Sequence, residues 1–134
     1  MKKIFILILI AFSLQAEAQE RDTIPLTVHK NHIYFYAVDT NNDCLRILVD
    51  TGAKMCVVFD KKVLINKIGY RMHLAGLNGS SKVTTIGTLK TNLFETYAYR
   101  VKENKPYDAI IGLDWMIEHE VIIDLPNKRL IYKP

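Results

Sequence analysis

ILVDTGAKM, residues Ile47 to Met55, decides how the rest of the chain is read. Three aliphatic residues run straight into a carboxylate, a hydroxyl and a glycine. An ionised Asp50 at the end of a buried strand is costly unless something compensates it, so the residue either caps a turn or is placed for chemistry. Asp50-Thr51-Gly52 taken alone fits an ordinary strand-ending turn, in which the carboxylate bonds its own backbone. Its surroundings point the other way. Ala53 and a further apolar run follow, a second apolar-apolar-Gly run appears at Ile110-Ile111-Gly112, and a glycine-bearing segment, Gly76-Leu77-Asn78-Gly79, lies between the two.

Outward from that stretch, most of the chain reads as strands. Ile24 to Val28 and His32 to Val38 predict a hairpin turning at Lys30-Asn31, and after the polar Thr40-Asn41-Asn42-Asp43 turn Cys44 to Val49 predicts a third strand. Met55 to Phe59 reads as a short buried strand. Asp60 suits the N-cap of a short helix ending near Ile68, with Gly69 as its stop. Tyr70 to Ala75 and Ser81 to Thr88 read as strands joined through the Asn78-Gly79 step, a strong hairpin signal. Leu89 to Val101 alternates as one longer strand, Ala109 to Gly112 is a buried strand end, Trp115 to Glu120 a short helix, and Val121 to Tyr132 a hairpin turning at Pro126-Asn127. The expectation is a mostly β domain with one or two short helices.

The first residues read as an export signal. Lys2 and Lys3 form a basic start, Ile4 to Leu14 an apolar run, and Ala16-Glu17-Ala18 a small-x-small cleavage site. The run is too short to span a bilayer comfortably. Residues 1–18 are therefore expected to be removed, leaving a periplasmic or secreted domain, residues 19–134, with no stable membrane anchor. That length suits one domain with a single modest core. Removing Lys2, Lys3 and Glu17 from 18 basic and 14 acidic residues leaves 16 and 13, and the small positive excess is spread along the chain. No basic cluster or interleaved aromatic stripe marks a nucleic-acid surface, so none is expected to bind.

Export permits a disulfide, and Cys44 and Cys56 flank the opening stretch; they are either bridged or two buried free thiols. His29 and His32 bracket the Lys30-Asn31 turn and would face each other, but no further ligand pattern accompanies them, and neither a metal nor another cofactor is expected.

Three pieces of the chain together resemble the retropepsin-like aspartic proteases, most closely the retrotransposon-type and bacterial members. They are Val49-Asp50-Thr51-Gly52-Ala53, the segment Tyr107-Asp108-Ala109-Ile110-Ile111-Gly112-Leu113-Asp114-Trp115-Met116, and the tail Val121-Ile122-Ile123-Asp124. The spacing between them fits as well, so the likeness covers nearly all of residues 19–134. It implies a small, closed β-barrel-like domain and hydrolysis of peptide bonds by aspartate. It places Ile110, Ile111 and Gly112 beneath the loop of Asp50, Thr51, Gly52 and Ala53, and makes Gly76, Leu77, Asn78 and Gly79 a flap over an extended peptide substrate.

The chemistry explains the residue types. Hydrolysis without a covalent intermediate needs a base to activate water and an acid to polarise the carbonyl, and two carboxylates sharing one proton supply both. A hydroxyl can bond neighbouring backbone and stiffen the loop, while glycine lets two such loops approach closely. One chain holds one such aspartate, so the expected unit is a symmetric homodimer with Asp50 from each subunit. Position 54 departs from the family, whose small polar or acidic residue is here a lysine. A cation there favours the ionised carboxylates unless it points to solvent or pairs with Asp114, and it is the feature that fits an alternative, a dimer that binds peptides without cutting them. Asp114 reads as an acid at a helix start, Trp115 as core, and Asp108 and Asp124 as turn residues.

Overall fold

Alternation along His32–Val38 sets the first layer: Phe35 and Ala37 are buried on one face, where they meet Leu45, Ile47 and Val49 of the neighbouring strand. Period-two patterning of this kind fixes the register, because a slip of one residue would turn the apolar set to solvent. The computed structural model describes residues 20–76 and 79–134. The expected export signal, 1–18, and Leu77 and Asn78 of the expected flap lie outside the described residues.

The strands in chain order are β1 (Asp22–Pro25), β2 (Thr27–His29), β3 (His32–Val38), β4 (Cys44–Val49), β5 (Val57–Val58), β6 (Leu64–Gly76), β7 (Gly79–Lys90), β8 (Glu95–Val101), β9 (Ala109–Ile111), β10 (Ile122–Asp124) and β11 (Arg129–Tyr132). A 3-10 turn, Lys61–Val63, precedes β6, and one α-helix, α1 (Leu113–Glu118), follows β9. Eight strands form one sheet in the order β2-β3-β4-β9-β5-β8-β7-β6, and β1-β11-β10 form a second. Two edges, β2 and β6, remain on the large sheet, so the architecture is mostly β as expected while the sheet is open and no closed barrel forms among the described residues.

Two differences from the sequence reading have simple causes. Asp60 does cap a turn, accepting the Lys62 N–H at 2.9 Å, but the helix expected to reach Ile68 stops after a single 3-10 turn. From Leu64 the chain pairs with β7, Leu64 opposite Leu89, and sheet pairing of these branched and aliphatic residues outweighs the local helical signal. The strand expected over Leu89 to Val101 is broken at Thr91, whose Oγ1 accepts the N–H groups of Leu93 and Phe94 at 3.2 and 3.1 Å and turns the chain from β7 into β8. The last hairpin forms as expected, and the first turns at Lys30-Asn31, both at positive φ with His29 opposite His32, but the strand expected over Ile24 to Val28 is split: only β2 pairs with β3, while β1 pairs with β11 in the second sheet.

The main core lies between the two sheets. Trp115 fills it, with ring centroids 5.3 Å from Phe94, 4.7 Å from His119 and 5.3 Å from Tyr132. A smaller cluster on the other face of the large sheet joins Val57, Val83 and Val101 to Met72, Leu74, Tyr99 and Ile110. Both cysteines are free, Cys44 exposed and Cys56 buried, so the bridge is not made.

Candidate active site

β9 enters the middle of the large sheet, parallel to β4 on one side and antiparallel to β5 on the other. The chain between β4 and β5, residues 50–56, must therefore cross over the end of β9. That crossing carries Asp50. Its N–H donates to the Ile111 carbonyl at 3.2 Å, continuing the parallel ladder one residue past Val49. Its Oδ1 accepts the Gly52 N–H at 2.8 Å and its carbonyl accepts the Ala53 N–H at 3.2 Å. The carboxylate is thus oriented by its own loop, and the residue is half-buried.

The far half of the crossing is tied to the start of α1. Leu113 N–H donates to the Ala53 carbonyl at 2.8 Å and Asp114 N–H to the Lys54 carbonyl at 3.1 Å. Gly112 packs so tightly beneath that a Cβ there would lie 2.5 Å from the Met55 carbonyl oxygen. Only glycine fits. Ala109 and Ile111 are buried in the main core, while Ile110 joins the smaller cluster on the opposite face, the one that also takes Met72 and Leu74 from the β6–β7 hairpin. The structure therefore brings Asp50, Ala53, Ile110, Ile111 and Gly112 together, and sets the hairpin on the face that Ile110 lines. Gly76 pairs with Gly79 at the end of that hairpin, and Gly79 takes a φ of 110°, a conformation that favours glycine.

Thr51 is exposed and its hydroxyl makes no hydrogen bond among the described residues, so the stiffening expected of it is absent within one chain. Lys54 is also exposed and forms no ion pair with Asp114; what links the two residues is the backbone bond between them. Asp108 accepts the Arg46 N–H at 2.7 Å and Asp124 bonds Asn127 and Arg129, as turn residues do.

For two further residues near the loop, the sequence assigns no role in the site. Tyr107 packs against Phe59 and Tyr34, with ring centroids 5.6 and 6.3 Å away. Burial pushes its hydroxyl above the ordinary range, with the charge of Lys105 opposing and those of Tyr34, Asp50 and Glu103 adding. Cys56 is buried at the end of the crossing. Its thiol donates to Asp114 Oδ1 at 3.2 Å and accepts the Gly112 N–H at 3.4 Å. Read as a sequence, Cys56 offered a disulfide or a buried free thiol, and Asp114 a helix-start acid or a partner for Lys54.

No family model matches the chain, and no curated protein does. Among solved structures it is similar to a retropepsin-like aspartic protease from Rickettsia conorii, at 19% identity over 84% of this chain and 89% of that one, with a TM-score of 0.49. It is also similar to the retroviral protease-like domain of Ddi1 from Leishmania major, at 20% identity over 75% of this chain and 93% of that one, with a TM-score of 0.43.

Proposed function

We propose that the protein is an exported aspartic endopeptidase that works as a homodimer, each subunit giving one Asp50 to a shared pair. The observation that carries this reading is the crossing loop itself. It ties the Asp50 backbone over the β9–α1 junction by two bonds and orients the carboxylate of this half-buried residue with a third from the Gly52 N–H, beside a hairpin packed on the same face of the sheet. Thr51 and Gly52 are both exposed in the single chain, where a second copy of the loop would cover them.

In the dimer the paired carboxylates share a proton, because two adjacent like charges raise one pKa while the other group stays ionised. The ionised Asp50 takes a proton from water as the water attacks the peptide carbonyl, and the protonated Asp50 donates to the carbonyl oxygen. The substrate lies extended between the hairpin and the loop, bonded through its backbone, and closure of the hairpin excludes bulk water.

The test is cleavage of a peptide library by residues 19–134 beside Asp50→Asn. The amide keeps the shape of the loop but cannot act as the base, so the rate is expected to fall by about two to four orders of magnitude or more, with the fold unchanged by circular dichroism. Cleavage persisting in highly purified Asp50→Asn protein removes this reading. Peptide binding that is equal in both proteins, with no cutting by either, selects the non-catalytic peptide binder that Lys54 favours. Mass spectrometry of exported material tests the leader: a mature start at Gln19 is expected, and an intact Met1 chain in membranes overturns it.

A further inference from the structure

We propose that Cys56 and Asp114 act as one positioning pair that holds the Asp50 loop in its working geometry, an inference that rests on the peptidase reading above. The loop leaves β4 at Asp50 and must land on β5 with its carboxylate correctly aimed. Backbone bonds to Ile111, Leu113 and Asp114 fix its first two-thirds. The landing point is Cys56: its carbonyl accepts the Tyr99 N–H at 3.0 Å, and its remaining bonds are made with side chains. Asp114 accepts the Cys56 N–H with Oδ2 at 3.1 Å, and it accepts both the Cys56 thiol and the Trp115 N–H with Oδ1, at 3.2 and 2.8 Å. The thiol in turn accepts the Gly112 N–H at 3.4 Å, and the Thr96 hydroxyl lies 4.0 Å from it. Gly112 is the same residue that leaves no room above Met55.

This arrangement makes specific chemical demands. Asp114 meets three donors and offers none, so a carboxylate suits it and an amide does not: the NH2 of Asn would face one of those donors. Cys56 must donate and accept at once from inside the core, which a hydroxyl can do and a methyl cannot. Loss of the thiol leaves the residue 56 N–H still bonded to Asp114, but the thiol bond is common to both variants, so their effects should not add in full. A misplacement of the reacting carboxylate slows the chemical step, while the peptide-binding face, built from the hairpin and the smaller cluster, is untouched.

The experiment combines turnover with amide hydrogen exchange on residues 19–134. Cys56→Ala and Asp114→Asn are each expected to lower kcat about tenfold with KM within about twofold, equivalent to about 1.4 kcal/mol of barrier, while Cys56→Ser stays within about threefold of the parent. The double variant should lose less than the product of the two single effects. A residue that merely supports the fold would lower the amount of folded protein without splitting kcat from KM, and serine would not rescue it. Exchange reads the tether without any turnover. The amides of Gly52, Ala53, Cys56, Leu113 and Asp114 should exchange faster in Cys56→Ala, while the β3–β4 ladder keeps its protection. Unchanged exchange in that segment overturns the positioning pair whether or not the parent cuts peptides. A parent without activity but with the expected exchange pattern overturns the peptidase reading and leaves the tether standing.

Discussion

A methyl group at position 112 has nowhere to go. It would meet backbone of Met55 at 2.5 to 2.9 Å, and neither side of that contact can yield without moving the loop that carries Asp50. Gly112→Ala is therefore expected to cost about 3 kcal/mol or more in a denaturant titration, whereas Gly69→Ala, where nothing lies within 4 Å, should stay within about 0.5 kcal/mol. Cys56 gives a prediction with a sign. Burial, chiefly, pushes its thiol from an ordinary 9.0 up to about 12, with backbone bonding from Gly112 opposing and Asp114 adding. Below pH 9 the thiol is protonated in both folded and unfolded chains. Above it the unfolded chain gives up its proton first, so stability is lost as pH rises from about 9 toward 12. Cys56→Ser, which does not titrate there, should show a shallower alkaline loss in thermal melts taken between those values. At this scale the sequence disclosed Asp50 and Gly112, because a charge after an aliphatic run and a glycine after another are visible violations of local preference. It did not disclose Cys56 or Tyr107, whose partners are set by how the crossing loop lands and by which rings meet across the sheet.

Elements show the same division between local signal and distant partner. β3, β4, β9, the last hairpin and the Lys30-Asn31 turn of the first were legible because alternation and turn residues agree in them, whereas the exchange of β1 to β11 depends on a partner about a hundred residues away. Residues 60–68 were misread because Asp60 sends a genuine capping signal, while the partner that turns the following residues into strand, β7, lies more than twenty residues away in the pairing of Leu64 with Leu89. The short α1 depends on its neighbours in another way. A helix of six residues has little stability of its own, and this one is held by Trp115 and Met116, both buried. Trp115→Ala should accordingly cost about 3–5 kcal/mol, read from the denaturation midpoint. Its Nε1 makes no hydrogen bond among the described residues, so Trp115→Phe forfeits volume but no polar contact and should cost about 1 kcal/mol, well short of the alanine change.

For the molecule as a whole, the proposed pair of Asp50 groups has a stoichiometric consequence. Wild-type and Asp50→Asn chains mixed in equal amounts and allowed to exchange should leave active dimers at about a quarter of the population, so that activity per wild-type chain falls by about half. Activity per wild-type chain that ignores the mutant would show that each chain works alone, and dilution of pure wild type below its dissociation constant should quench cleavage in the same experiment. The single aspartate is the sequence feature from which the pairing is proposed. An open large sheet was not legible there, since alternation gives the faces of strands but not whether the first and last of them meet.

The parallel pairing of β4 with β9 also fixes an order in time. Ile47 pairs with Ala109 and Val49 with Ile111, contacts that span about sixty residues and include no local shortcut. A chain emerging from the ribosome presents Asp50 long before it presents the strand that orients it, and closing so long a loop is slow relative to forming a hairpin. Until the last quarter of the chain has been made, the carboxylate is an ordinary acid on an unfinished crossing. In the proposed peptidase, a catalytic loop completed only when β9 arrives would leave the unfinished chain unable to hydrolyse its own unfolded segments.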